Sequence, residues 1–132
     1  MKLSLVKHAD HPLNQEDSTI EEKAFQLRDY AAKGDSLALE LFQKQAHILG
    51  YALGDQVSEL DPGLIVIGGG LAEAPFRDWY LAEVEAGFRN RAAPFYQKSP
   101  IPPHEPTTTI EWAIGGDASA AFGAAYKARD LV

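Results

Sequence analysis

The sequence contains no cysteine in 132 residues, which excludes disulfides and thiolate zinc sites within the chain. No apolar run approaches the ~20 residues of a membrane-spanning helix, and the opening MKLSLVKHAD lacks the apolar core of a secretory signal. Both absences fit a cytoplasmic location. Basic residues are scarce: 12 Lys and Arg stand against 19 Asp and Glu, a formal charge of −7. That balance argues against nonspecific nucleic-acid binding, which needs a basic face. A small phosphorylated ligand remains compatible with it, because backbone N–H groups hold phosphate without net positive charge.

What is present suits one globular domain over residues 1–132, at 45% apolar content and with length enough for a core. Residues 1–17 form a poorly defined amino-terminal segment: Leu3 to Val6 alternates weakly, as a short edge strand would, and ADHPLNQED after it reads as coil. Ser18-Thr-Ile-Glu21 has the capping-box pattern, in which hydroxyl and carboxylate each satisfy the other's backbone N–H. The helix it opens runs to Lys33 and stops at Gly34, a favourable left-handed terminator. Asp35 or Ser36 caps a second helix reaching about Leu60. On that helix Leu41, Leu49, Leu53 and Val57, flanked by Phe42 and Ile48, are expected to face a core. Ala46, Gly50, Gly54 and Ser58 form a second track of small residues. Two glycines inside a helix cost about 1 kcal/mol each relative to alanine, so the track predicts close approach of another element.

Asp61-Pro62-Gly63 turns the chain into Leu64-Ile65-Val66-Ile67, a strand without polar alternation and so expected to be covered on both faces and paired in parallel. Gly68-Gly69-Gly70 follows, then a helix on which Phe76, Tyr80, Val84 and Phe88 repeat every four residues. Ala93 to Pro106, with five prolines, reads as an extended loop. Thr107 to Ile114 is a β-rich strand leading into Gly115-Gly116, with Asp117 available to cap a terminal helix of small residues. Two strand–glycine–helix units in series predict an α/β fold with parallel pairing and right-handed crossovers. Ligands on such sheets bind beyond the carboxyl ends of the strands, where both glycine turns lie.

The triple glycine matches neither the dinucleotide fingerprint nor the P-loop spacing. In its wider context, however, KGDSLALELF (Lys33 to Phe42), LDPGLIVIGGGLAEA (Leu60 to Ala74) and GGDASAAFGAA (Gly115 to Ala125) together resemble the carboxy-terminal lobe of the ROK family of sugar kinases and related repressors. The resemblance implies a ribonuclease-H-like lobe of the actin, Hsp70 and hexokinase type, present here with few strands. It implies that Gly68, Gly69 and Gly70, with Leu71 and Ala72 just beyond, lie against the adenosine and inner phosphates of ATP, with magnesium bound in the complete protein. Bare backbone suits that task, since a Cβ would block close approach. The terminal motif reads Gly116-Asp117-Ala118-Ser119-Ala120 where the commoner family form is Gly-Asp-Asp-Ala-Gly, which keeps a cap and removes a second acid.

The family's Asp-x-Gly-Gly-Thr phosphate loop, its aspartate general base and its cysteine-rich zinc motif do not occur in this sequence. The chain is therefore expected to be catalytically incomplete alone, with no catalytic or metal residue of its own, and to need either an amino-terminal kinase lobe or self-association. The parent reading is an ATP-dependent hexose kinase; the alternatives are the effector part of a sugar-responsive repressor and an interaction module without ligand. Elsewhere His8, Asp10 and His11 place three metal-ligand types together, but a solvated polar stretch is the stronger reading without a fourth ligand. Trp79 and Tyr80 could line an adenine pocket, though core packing is the better account. Glu73 has no recognisable partner in the sequence, and His47 and His104 have no assigned role.

Overall fold

The computed structural model describes residues 5–15 and 17–129. Along the chain run helices α1 (Leu5–His8), α2 (Pro12–Gln15), α3 (Ile20–Ala32) and α4 (Ser36–Leu60), then strand β1 (Leu64–Ile67). A 3-10 turn (Gly70–Glu73), α5 (Arg77–Arg91), α6 (Pro94–Gln97), strand β2 (Thr109–Trp112), a second 3-10 turn (Gly116–Ala118) and α7 (Ser119–Arg129) complete it. The chain is mostly helical, with a two-stranded parallel sheet, and divides into two compact units, residues 1–45 and 46–132, with α4 running through the division.

In the first unit the capping box forms one residue later than the sequence reading placed it. Thr19 Oγ1 accepts from Glu22 N at 3.2 Å and Glu22 Oε2 accepts from Thr19 N at 2.8 Å, while Ser18 Oγ is buried without a partner. The sequence offers both Ser/Thr-x-x-Glu frames, and nothing local separates them. Gly34 terminates α3 at φ 80°, and Asp35 caps α4 by accepting from Ala38 N at 2.9 Å, as expected. The edge strand at Leu3 to Val6 is not found: residues 5–8 are a helical turn and Leu3 and Ser4 lie outside the described residues. The expected coil after it contains α2, whose Leu13 is fully buried.

The solvated reading of His8 and His11 is also corrected. Leu13 N–H donates to His11 Nδ1 (3.2 Å), which leaves the ring proton on Nε2, aimed at Asp35 Oδ2 (3.2 Å). The same ring meets Tyr30 edge-on at 4.9 Å. His8 Nε2 lies 3.4 Å from Glu40 Oε2, and Asn14 Nδ2 donates to the His8 carbonyl at 2.8 Å. Both imidazoles therefore work as hydrogen-bonded struts rather than as a free polar stretch.

The second unit is organised by the small-residue track of α4. A Cβ built on Gly50 would stand 2.6 Å from Phe88 N and closer still to the Val84 carbonyl oxygen; one on Gly87 would stand 2.5 Å from the His47 carbonyl oxygen. The bare backbones of α4 and α5 thus touch, which accounts for two glycines in a long helix. Two polar pairs flank the crossing, His47 Nε2 to Glu83 Oε2 at 2.7 Å and Arg91 Nε to Asp55 Oδ1 at 2.5 Å. Ile48, expected to flank the core, points to solvent instead, because the small-residue track takes the buried position.

Below this helix pair Phe76, Tyr80, Val84 and Phe88 are all buried, as their four-residue period predicted. Val57, Phe88, Ala92, Tyr96 and Ile110 form the core, with Leu53, Ile65, Ile67 and Leu81 packed against it. The strands pair in parallel with Leu64 opposite Thr109 and Ile67 opposite Trp112. Only the Ile65/Ile67/Ile110 side of the sheet is covered. Leu64 and Val66 on the other side are 51% and 54% exposed, so the expectation of cover on both faces fails among the described residues. The strand expected over Thr107 to Ile114 keeps only its middle, and the proline-rich loop contains α6, whose Tyr96 is buried.

Candidate nucleotide-binding turn

β1 leads directly into Gly68 and β2 reaches Gly115 after Ala113 and Ile114, and parallel pairing brings the two ends side by side. Ala113 N donates to the Ile67 carbonyl at 2.8 Å, extending the ladder to the last residue before Gly68. A Cβ on Gly68 would lie 3.6 Å from Ala113 Cβ and 3.8 Å from Ser119 Cβ, in ordinary contact with the second turn. Gly69 then adopts φ 102°, ψ −177°, a backbone state closed to residues with a side chain. Nothing lies within 4 Å of the position its Cβ would occupy. The backbone there is bent outward and bare, facing open space.

The chain folds back at once. Ala72 N donates to the Gly69 carbonyl at 2.9 Å to close the 3-10 turn, and Arg77 Nη1 donates to the Ala72 carbonyl at 3.0 Å. Ala72 is buried, so of the two apolar neighbours expected for a ligand only Leu71 keeps accessible surface. The second turn is held by Ser119 Oγ, which donates to the Gly116 carbonyl at 2.6 Å. Glu73, which the sequence left without a partner, lies across this second turn: a Cβ on Gly116 would come 2.6 Å from Glu73 Oε1. Gly68, Gly69, Gly70 and Leu71 are therefore contiguous with Gly115, Gly116 and Ser119 in one ledge at the carboxyl end of the sheet. Ser119 and Glu73 escaped the sequence reading as parts of this ledge; the available signal was that turns following paired parallel strands must adjoin.

Trp79 and Tyr80 belong to packing. Tyr80 is buried and stacks on Trp112 with centroids 6.1 Å apart, and burial pushes its hydroxyl pKa above the ordinary tyrosine value; Trp79 sits against Phe76. His104 Nδ1 pairs with the Ser99 carbonyl oxygen at 3.0 Å. The side chain of Asp117 lies outside the described set, and its position falls inside the second 3-10 turn. Among the described residues no group of three or more His, Asp or Glu has the arrangement of a metal site, and no helix is long and apolar enough to cross a membrane. The ledge presents bare backbone at Gly69.

The family model described as "ROK family" matches residues 7–130. No curated protein matches the chain. Among solved structures the chain is similar to one described as a "putative sugar kinase" from Cytophaga hutchinsonii, with a TM-score of 0.64 at 21% identity. The match covers 94% of this chain and 38% of that one, so the chain spans well under half the length of the protein whose fold it shares.

Proposed function

This chain belongs to the ROK family, and on that premise we propose that it is the nucleotide-side lobe of an ATP-dependent sugar kinase. In this reading it is a ribonuclease-H-like ATPase lobe working in the cytoplasm, where ATP is available. Gly68, Gly69 and Gly70 lie against the adenosine and inner phosphates of ATP, and Leu71 contacts the nucleotide from the following turn. The observation that carries this is the bare, outward-bent Gly69 facing open space at the carboxyl end of two parallel strands, where ligands of open α/β sheets bind.

ATP supplies the transferable phosphoryl group. The residues of this chain contribute position: a turn fixed by Ala72 N and Arg77, whose Glu73 lies across Gly116 of the second turn, itself closed by Ser119 Oγ. Positioning accounts for much of phosphoryl-transfer catalysis. In this reading the metal, the general base and the sugar contacts belong to an opposing lobe.

Titration with ADP, followed residue by residue by NMR, tests this. With half a cleft the expected affinity is about millimolar, roughly −4 kcal/mol, with shifts concentrated at Gly68 to Leu71. Gly69→Val should abolish them, because its side chain fills the open space and a β-branched residue cannot keep φ 102°, so the turn itself rearranges; the far-ultraviolet spectrum checks that the helices remain. Shifts that spare residues 68–71, or a Gly69→Val chain that binds as well as the parent, would refute the assignment.

A further inference from the structure

Gly116 stands at φ 53°, and the place of its missing Cβ is taken by Glu73. A Cβ there would lie 2.6 Å from Glu73 Oε1 and 3.3 Å from its Cδ and Cγ. Nonbonded carbons settle at about 3.5–4.0 Å, so a side chain at position 116 would evict the carboxylate. The second glycine turn is thus a notch, and the last residue of the first turn fills it. The notch is itself fixed. Gly116 N donates to the Ala113 carbonyl at 3.2 Å and Ala118 N to the Gly115 carbonyl at 3.1 Å, while Ser119 Oγ donates to the Gly116 carbonyl at 2.6 Å.

Exposed glutamates ordinarily sample many rotamers, and ordering one on binding costs affinity. Glu73 is exposed yet seated against backbone, so much of that ordering is already done. A carboxylate offers about four acceptor sites, and a contact to the turn leaves capacity for a ligand. Its position along the ledge is also defined. Glu73 closes the 3-10 turn that Gly70 opens, and such a turn rises about 2 Å per residue, so Glu73 stands roughly 8 Å beyond Gly69.

We infer that Glu73 accepts the 2′ and 3′ hydroxyls of the bound nucleotide and makes the ledge selective for ribonucleotides. This rests on the nucleotide reading of Gly68 to Leu71 and adds a direction to it. A carboxylate repels phosphate, so the inner phosphates lie toward Gly68 and Gly69 and the sugar toward Glu73. The ribose diol is the donor pair that stands at this remove from the inner phosphates; the adenine amino group lies farther out. Acidic side chains accept from ribose hydroxyls in the same way at dinucleotide sites.

The full chain is titrated with ADP and with 2′,3′-dideoxy-ADP, followed by the amide shifts of residues 68–73 and 115–119. The parent should bind ADP at least fivefold more tightly than the dideoxy analogue, and in Glu73→Ala that preference should fall below twofold. The ratio is the decisive quantity, because a merely structural loss, or relief of repulsion on the phosphates, moves both ligands alike. A parent that does not distinguish the two ligands overturns the ribose assignment, and so does a preference that survives in Glu73→Ala. In both cases ADP shifts at Gly68 to Leu71 would leave the nucleotide turn standing. If ADP spares Gly68 to Leu71 altogether, the nucleotide reading fails and the role of Glu73 fails with it.

Discussion

Gly50→Ala puts the contact between α4 and α5 to the most direct test. Inside a helix this change ordinarily stabilises by about 1 kcal/mol. Here the added methyl would stand 2.6 Å from Phe88 N and 2.9 Å from Gly87 C, where carbon contacts settle at about 3.5–4.0 Å. These neighbours are backbone and cannot rotate aside, so the helices must part by about 1 Å, a gap that forfeits a quarter to a half of each dispersion contact across it. Phe88 and Val57 share the core directly below, so the separation also loosens that packing. Overpacking of this kind typically costs about 1–3 kcal/mol, and rigid neighbours place it at or beyond the upper end. The net expectation is a loss of about 2–4 kcal/mol, lowering the urea midpoint by roughly 1–2 M. Both tryptophans, Trp79 and Trp112, lie in the same unit, so their fluorescence reports its unfolding. Gly34→Ala is the control: nothing lies within 4 Å of its Cβ position, and only its φ of 80° opposes a side chain, at about 1–2 kcal/mol. A Gly50→Ala chain as stable as the parent, or less affected than Gly34→Ala, would refute the claim that bare backbones meet there.

Two further predictions concern the first unit. Burial alone would raise the Asp35 pKa, but the Ala38 N–H and His11 outweigh it and hold the carboxyl below its ordinary value of 3.8. Its contribution is therefore complete above the unfolded pKa and is lost as pH falls through the lower folded one, so acid unfolding of Asp35→Asn should show a shallower pH dependence below about pH 4 than the parent; parallel curves would contradict it. Thr19→Ala should cost about 1 kcal/mol as the loss of a helix cap, whereas Ser18→Ala, which removes a buried hydroxyl without a partner, should be neutral or stabilising. Denaturant midpoints distinguish the two, and the opposite order would restore Ser18 as the cap.

The sequence by itself determined the elements whose signals are local. Gly34 and Asp35 fixed the boundary between α3 and α4, because a left-handed terminator and a side-chain cap act within a turn. The four-residue repeat of Phe76, Tyr80, Val84 and Phe88 fixed the buried side of α5, and the glycines of α4 announced a close neighbour. Two strands each followed by glycine implied a parallel pair, which the register of β1 and β2 bears out. Tertiary structure alone decided what depends on partners distant in the chain. Leu64 to Ile67 reads as a strand apolar on both sides, yet only Ile65 and Ile67 find a helical layer, because burial belongs to whatever packs above a residue and not to the residue itself. Ile48 is as apolar as Leu53 but lies off the ridge where backbones touch, and so faces solvent. His8, His11 and Glu73 acquire their roles from Glu40, Asp35 and the Gly116 turn, contacts across 24 to 43 residues that no local pattern encodes.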